Sequence, residues 1–180
     1  MIFEKTPIEG LLIIKPTVFE DERGHFFESY QKQRFKENGI DVEFVQDNQS
    51  LSQKNVLRGL HFQQPPFAQA KLIRVIKGAV IDVAVDIRKN SPTYGKHCLI
   101  ELSEYNKILF YIPAGFAHGF LTLEDNTIFT YKCSNYFNKQ AEGALLWNDE
   151  QLAINWDVSN PILSEKDKMS VAFTDFISPF

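Results

Sequence analysis

The run AKLIRVIKGAVIDVAVDIR, residues 70–88, constrains the fold more than any other part of the chain. It reads as two strands joined at Lys77-Gly78, with no room between them for a helix. Alternate residues of a strand share a face, so Lys71, Ile73 and Val75 fall together, and Leu72, Arg74 and Ile76 oppose them. In the second strand Ile81, Val83, Val85 and Ile87 form an apolar stripe opposite Asp82, Ala84 and Asp86. Apolar residues on both faces imply a sheet covered on both sides. Either a partner covers part of the outer face, or the monomer has an enlarged core.

Similar short runs continue through most of the chain, cut by Gly, Pro, Asn and Asp. An early strand lies in residues 10–19. Later ones lie in residues 43–50, 55–63, 94–103, 107–113, 117–125, 127–136 and 143–149. A doubly wound sheet would need long helices between strands, and there are none. The expected fold is therefore all-β, an antiparallel sandwich or barrel with a few short peripheral helices. The best helix candidate runs from about residue 29 to 37, with Gly39 as its stop. Beyond LAINWD the chain reads as irregular or weakly helical, and Ser164 could cap a short helix in SEKD.

A length of 180 residues fits one domain spanning 1–180, large enough to bury a core without a metal or disulfide staple. The two cysteines, Cys98 and Cys133, lie far apart without CxxC spacing and read as reduced thiols. A net charge of -4 argues against nucleic-acid binding, yet a few pocket arginines can still hold a small anionic ligand. LLIIKP, residues 11–16, is too short to span a membrane and no signal peptide opens the chain, so a cytoplasmic setting is expected. Sixteen phenylalanines suit strands, and they suit a ligand pocket or interface equally well.

Candidate chemistry centres on NVLRGLHFQQPP, residues 55–66. Strand parity puts Arg58, Leu60 and Phe62 opposite His61, and only a bend at Gly59 would bring Arg58 and His61 to one place. The four histidines, His25, His61, His97 and His118, form no HxH or HExxH, so no metal site is expected. Neither a phosphate loop nor a nucleophile elbow appears. Taken singly, His61 and His118 read as hydrogen-bonded structural histidines, Tyr131 as a strand aromatic and Lys71 as a snorkelling lysine.

Long ordered stretches change that reading. DERGHFFESY, FVQDNQSLSQKNVLRGLHFQ, KLIRVIKGAVIDVAVDIRKNSPTYGKH, YIPAGFAHGFL, YKCSNYFN, GALLWNDEQLAINW and PILSEKD resemble the dTDP-4-dehydrorhamnose 3,5-epimerase family of the cupin, or jelly-roll, superfamily. The likeness runs from about residue 20 to 167. It implies a jelly-roll barrel that forms a homodimer by exchanging N-terminal strands. It also implies an isomerase that inverts C3 and C5 of dTDP-4-dehydro-6-deoxy-D-glucose, serving synthesis of a surface polysaccharide.

By this resemblance His61 is similar to the catalytic base and Asp167 to the carboxylate that orients it. Tyr131 is similar to the opposing acid, and Lys71 and His118 to groups around the sugar ketone, with His118 assisting by donation. Asp82 resembles a further pocket member. Arg23, Phe26 and Glu28 resemble a nucleotide-holding loop, some of it serving the neighbouring subunit. Gln46, Asn48, Arg58 and Tyr136 resemble further nucleotide contacts. Lys71 stands where a metal-binding cupin has a glutamate and would repel a cation, so no metal and no cofactor are expected. The field of Lys71 is expected to lower the Tyr131 pKa. Other readings are an enzyme inverting C3 or C5 alone, a non-catalytic sugar-nucleotide binding jelly roll and a metal-dependent cupin enzyme.

Overall fold

The computed structural model describes residues 1–180 and is built almost entirely from antiparallel strands. One sheet runs in the order β1 (Ile2–Lys5), β2 (Leu12–Lys15), β10 (Leu109–Ile112), β7 (Lys71–Lys77), β12 (Thr127–Cys133), β5 (Gln46–Ser52). The other runs β13 (Glu142–Ala144), β6 (Leu57–Gln63), β11 (Phe116–Thr122), β8 (Ala79–Asp86), β9 (His97–Ser103). A separate hairpin, β3 (Phe19–Asp21) and β4 (Gly24–Phe26), completes the strands of an antiparallel jelly roll.

The two strands of residues 70–88 do not pair with each other. β7 lies in the first sheet and β8 in the second, so the chain turns the corner between sheets at Gly78. Its φ is +78°, and a Cβ there would come within 2.4 Å of Thr127 Oγ1, so only glycine fits this corner. Between the sheets, Ile73, Val75, Phe110 and Phe129 meet Val80, Ala84, Leu102 and Phe120. The Phe120 and Phe129 rings stack at 3.9 Å between centroids.

The apolar stripe of β8 faces outward. Val83, Val85 and Ile87 are fully buried against Leu152, Trp156 and Phe173 of the C-terminal segment. Each such side chain contributes about 1.5–3 kcal/mol when removed from water. The chain's own tail thus covers the second sheet. Over the first sheet, Ile14, Phe35 and Ile40 pack on Leu72, Leu109 and Tyr111. No helix is long and apolar enough to cross a membrane.

Helix α1 spans Lys32–Glu37, shorter than the expected 29–37. Gln31 caps it by accepting from the Arg34 backbone N–H, while Tyr30 leaves the helical path to pack its ring against Phe35 and Phe44. Gly39 follows the helix as expected. The N–H of Gly39 donates to the Lys36 carbonyl and that of Ile40 to the Phe35 carbonyl, which satisfies the last turn. The expected strand over residues 143–149 is only partly formed. Past Ala144 the chain bends, and Asp149 Oδ1 accepts from the N–H groups of Gln151 and Leu152. Helix α2, Glu165–Lys168, is capped by Ser164. Parallel bridges hold the chain on either side of it, Val56 to Ile162 before and Leu145 to Val171 after.

At the C-terminal end of β8, Asp86 is fully buried and closes a polar knot. Its carboxylate accepts from Arg88 at 2.7 and 2.8 Å and from the Ser91 and Thr93 hydroxyls at 2.6 Å each. Burial raises its pKa, but these donors outweigh burial and bring the value down to about 2. A depressed carboxylate adds stability that is present above its unfolded value and lost as pH falls through the folded one. Asp86→Asn should therefore lower the unfolding free energy by about 2–3 kcal/mol at neutral pH. Urea titrations should show the gap from the parent narrowing as pH falls from 4 toward 2.

Candidate functional site

The site begins at a backbone contact. At Gly59 φ is +138°, and a Cβ would lie 2.5 Å from Gly119 Cα and 3.0 Å from the His118 carbonyl oxygen. No side chain fits there. At this approach the β6–β11 register shifts between His118 and Phe120. The irregularity interrupts strand parity, and Arg58 and His61 both line one cavity.

That cavity has a volume of about 540 Å³. The second sheet contributes Arg58 and His61 from β6 and His118 from β11. Across from them the first sheet contributes Asn48 from β5, Lys71 from β7 and Tyr131 from β12. Asp167 closes one side from α2. A second lobe of about 450 Å³ shares Asn48, His61, Lys71 and Tyr131 and adds Gln46, Gln63 and Glu142.

Two histidine–carboxylate pairs stand on adjacent strands, since His61 and His118 are direct register partners. His61 Nε2 lies 2.5 Å from Asp167 Oδ1. Burial raises the Asp167 carboxyl, but the bond and charge of His61, the Ser164 hydroxyl and Lys166 leave it below the usual range. An ionised carboxylate needs a donor, so Nε2 carries the proton and Nδ1 of neutral His61 carries a lone pair. His118 Nε2 lies 2.9 and 3.1 Å from the two oxygens of Asp82. Burial pushes the His118 imidazole down despite Asp82, so it stays neutral near pH 7. Its proton is then engaged by Asp82, and Nδ1 can accept but not donate. The expected donation from His118 to a ketone is not what this arrangement offers. Asp82 itself is fully buried behind His118 and does not line the cavity, a correction to its expected place.

The opposite wall carries a lysine amine and a phenol. Lys71 Nζ sits 5.7 Å from the Tyr131 ring centre. Burial lowers the Lys71 pKa, opposed by Cys133, Asp82 and Glu142. No carboxylate stands in ion-pair range of Lys71 or Arg58. Arg58 Nε and Nη2 both donate to Ser52 Oγ at 3.2 Å, which fixes the guanidinium plane. Burial pushes the Tyr131 phenol up, contrary to the lowering expected from the field of Lys71. Tyr131 therefore keeps its proton at neutral pH, as a donor requires.

The remaining predicted residues divide. Asn48 and Gln46 reach the cavity or its second lobe, and Gln46 Oε1 accepts from the Phe137 N–H at 2.9 Å. Tyr136 is exposed on the loop beside that lobe, its carbonyl accepting from Gln63 Nε2 at 3.1 Å. Arg23, Phe26 and Glu28 do not join the chain's own cavity. Arg23 is 89% exposed and paired with Asp21 at the hairpin, Phe26 is 71% exposed, and Glu28 pairs with Arg34 at 2.8 Å.

Sequence reasoning passed over Gln49, Ser164, Lys166 and Glu142, which also line the cavity or its lobe. Lys166 and Glu142 form an ion pair between α2 and β13. The signal was present in SEKD, where every residue but Glu165 faces the cavity, though only the aspartate was given a place in the site and Ser164 was read as a helix cap alone. Nowhere do three His, Cys, Asp or Glu side chains converge as a metal-binding group.

Comparison with known proteins gives a consistent picture. A family model described as dTDP-4-dehydrorhamnose 3,5-epimerase matches residues 5–175. A relative of that name from Salmonella typhimurium is 56% identical over 169 residues, covering 93% of this chain and 92% of its own length. A crystal structure of the enzyme of that name from Elizabethkingia anophelis is similar with a TM-score of 0.93 and 51% identity, covering 97% of each chain. The Legionella pneumophila dTDP-6-deoxy-D-glucose-3,5-epimerase, solved in complex with dTDP-4-keto-L-rhamnose, gives a TM-score of 0.94 and 46% identity. That likeness covers 98% of this chain and 94% of the other.

Because Gly59 holds Arg58 and His61 at one cavity, Gly59→Ala should cost about 3 kcal/mol of stability through backbone strain. Denaturant unfolding measures that loss, and an unchanged midpoint would refute the close-packing argument.

Proposed function

The chain belongs to the dTDP-4-dehydrorhamnose 3,5-epimerase family, and from that premise we propose how its own residues carry out the epimerisation. The reaction inverts C3 and C5 of dTDP-4-dehydro-6-deoxy-D-glucose to give dTDP-4-dehydro-L-rhamnose. The observation that carries the assignment is the two-walled cavity. His61 with Asp167 stands on one side, and Tyr131 with an unpaired Lys71 on the other.

Both carbons that invert flank the C4 ketone, so their protons are acidic. His61 Nδ1 takes a proton from C3 or C5, and the C–H electron pair moves into an enolate whose charge sits on the C4 oxygen. Asp167 holds the resulting imidazolium and keeps the ring in one tautomer. Lys71 faces the oxyanion. Its ammonium has no carboxylate partner, so the developing charge finds an unoccupied cation in a partly dry pocket. Tyr131 then gives its phenolic proton to the opposite face of the carbon, and the C=C pair becomes the new C–H bond. Proton exchange with solvent resets both groups. His118 accepts a hydrogen bond from a sugar hydroxyl and is itself steadied by Asp82.

At the nucleotide end Arg58 grips the diphosphate, presenting a plane already fixed by Ser52. Gln46 and Asn48 contact the nucleoside, and Tyr136 stacks on the thymine. Arg23, Phe26 and Glu28 complete the neighbouring protomer's pocket in a homodimer with exchanged N-terminal strands. The support is that β3 and β4 form a lone two-stranded hairpin, with Phe19 63% and Phe26 71% exposed. Such a ribbon gains little stability by itself, and exposed aromatics ask for a partner. Free Cys98 and Cys133 fit a reducing, cytoplasmic setting.

In heavy water His61→Asn should abolish deuterium entry at C3 and C5 while nucleotide binding survives, and proton NMR of the sugar reads both. Full exchange would remove His61 from the base role. Tyr131→Phe should impair inversion more than first proton loss; equal loss of both steps would count against the donor assignment. Mixing inactive Arg23→Ala with inactive His61→Asn chains should restore turnover after subunit exchange, because one mixed pocket then has both groups intact. No recovery would put Arg23 in its own subunit's site.

A further inference from the structure

The two oxygens of the Asp167 carboxylate have separate partners. Oδ1 meets His61 Nε2 at 2.5 Å, and Oδ2 accepts from the Ser164 hydroxyl at 2.9 Å. The same hydroxyl accepts from the Asp167 backbone N–H at 3.2 Å, as an N-cap does. Ser164 is itself exposed and lines the cavity, while Asp167 behind it is 3% exposed.

We infer that Ser164 is a positioning residue for the epimerisation, locking the plane of the Asp167 carboxylate so that Oδ1 stays aimed at His61. Rotation about the bond to a carboxylate is broad, and a bond through one oxygen leaves the plane free to swing. A second bond, to the other oxygen, removes that freedom. Capping alone does not require this bond: a cap only has to accept from the backbone, whereas Ser164 also donates. Lys166 is occupied by Glu142 and does not compete as the partner of Oδ2. The inference rests on reading His61 as the base.

Three variants separate orientation from capping. Ser164→Gly keeps a good helix start but has no donor. Ser164→Ala loses both cap and donor, and Ser164→Thr keeps both. Steady-state kinetics, deuterium entry at C3 and C5, and thermal melting are measured on each, with His61→Asn beside them. Expected is a loss of about tenfold in kcat for both Gly and Ala, the scale seen when a group orienting a histidine is removed. KM should stay within about twofold, because the interaction counts in the transition state rather than in binding. Ser164→Thr should restore kcat. Native kcat in Ser164→Gly, with His61→Asn still silent, would overturn the inference and leave the base assignment standing. Normal exchange in His61→Asn would instead bring down the base assignment and the inference with it. A kcat loss in Ser164→Thr equal to that in Ser164→Ala, at an unchanged melting point, would also count against it.

Discussion

Strands β6 and β11 approach so closely at Gly59 and Gly119 that neither admits a methyl group, and the rest of the site depends on that contact. An unbroken ladder would turn Arg58 and His61 to opposite faces, one into the cavity and one into the packed layer under the C-terminal segment. The local shift in register lets both line the cavity. It leaves His61 directly opposite His118, so the two histidine–carboxylate pairs stand side by side on one wall. Steric exclusion at one pair of glycines thus does the work that a longer loop would otherwise have to do.

The jelly roll also separates its buried charges by task. At one end of β8 the Asp86 knot is saturated with donors and has no free valence. Toward the cavity, Asp82 on the same face of β8 is spent on His118, and across the cavity Lys71 is left unpaired. A saturated cluster is a strut, since breaking it exposes an uncompensated charge. An unpaired ammonium in a partly dry pocket stores capacity to bind negative charge. Gln63 makes a similar division within β6. It lies two residues from His61, where a second ligand of an HxH pair would fall. Its amide instead ties Phe67, Tyr136 and Asn138 together.

Much of the fold was legible in residue periodicity. The alternation in residues 70–88 gave the correct faces of both strands, because packing against two layers enforces a period of two. It could not give the pairing, since Gly78 looks the same whether it closes a hairpin or turns a corner between sheets. Nor could it tell which stripe faces the cavity. Ile81, Val83, Val85 and Ile87 look like a sandwich core and instead lie under the C-terminal segment. The family resemblance identified the side chains that the cavity later gathered, His61, Lys71, His118, Tyr131 and Asp167. Protonation was harder to foresee. Burial, which no linear string reports, set the direction, outweighing Asp82 at His118 and the Asn48 hydrogen bond and Arg58 at Tyr131.

Helix α2 is bridged on both flanks to strands of the second sheet or the residues adjoining them, through Ile162 on one side and Val171 on the other. His61 belongs to that same sheet, whereas Lys71 and Tyr131 belong to the other. Mechanically, His61 and Asp167 ride on one plate and Lys71 and Tyr131 on a second. Any change in the spacing of the plates alters the width of the cavity between them. It leaves the geometry inside the His61–Asp167 pair untouched, because both partners are tied to the same plate.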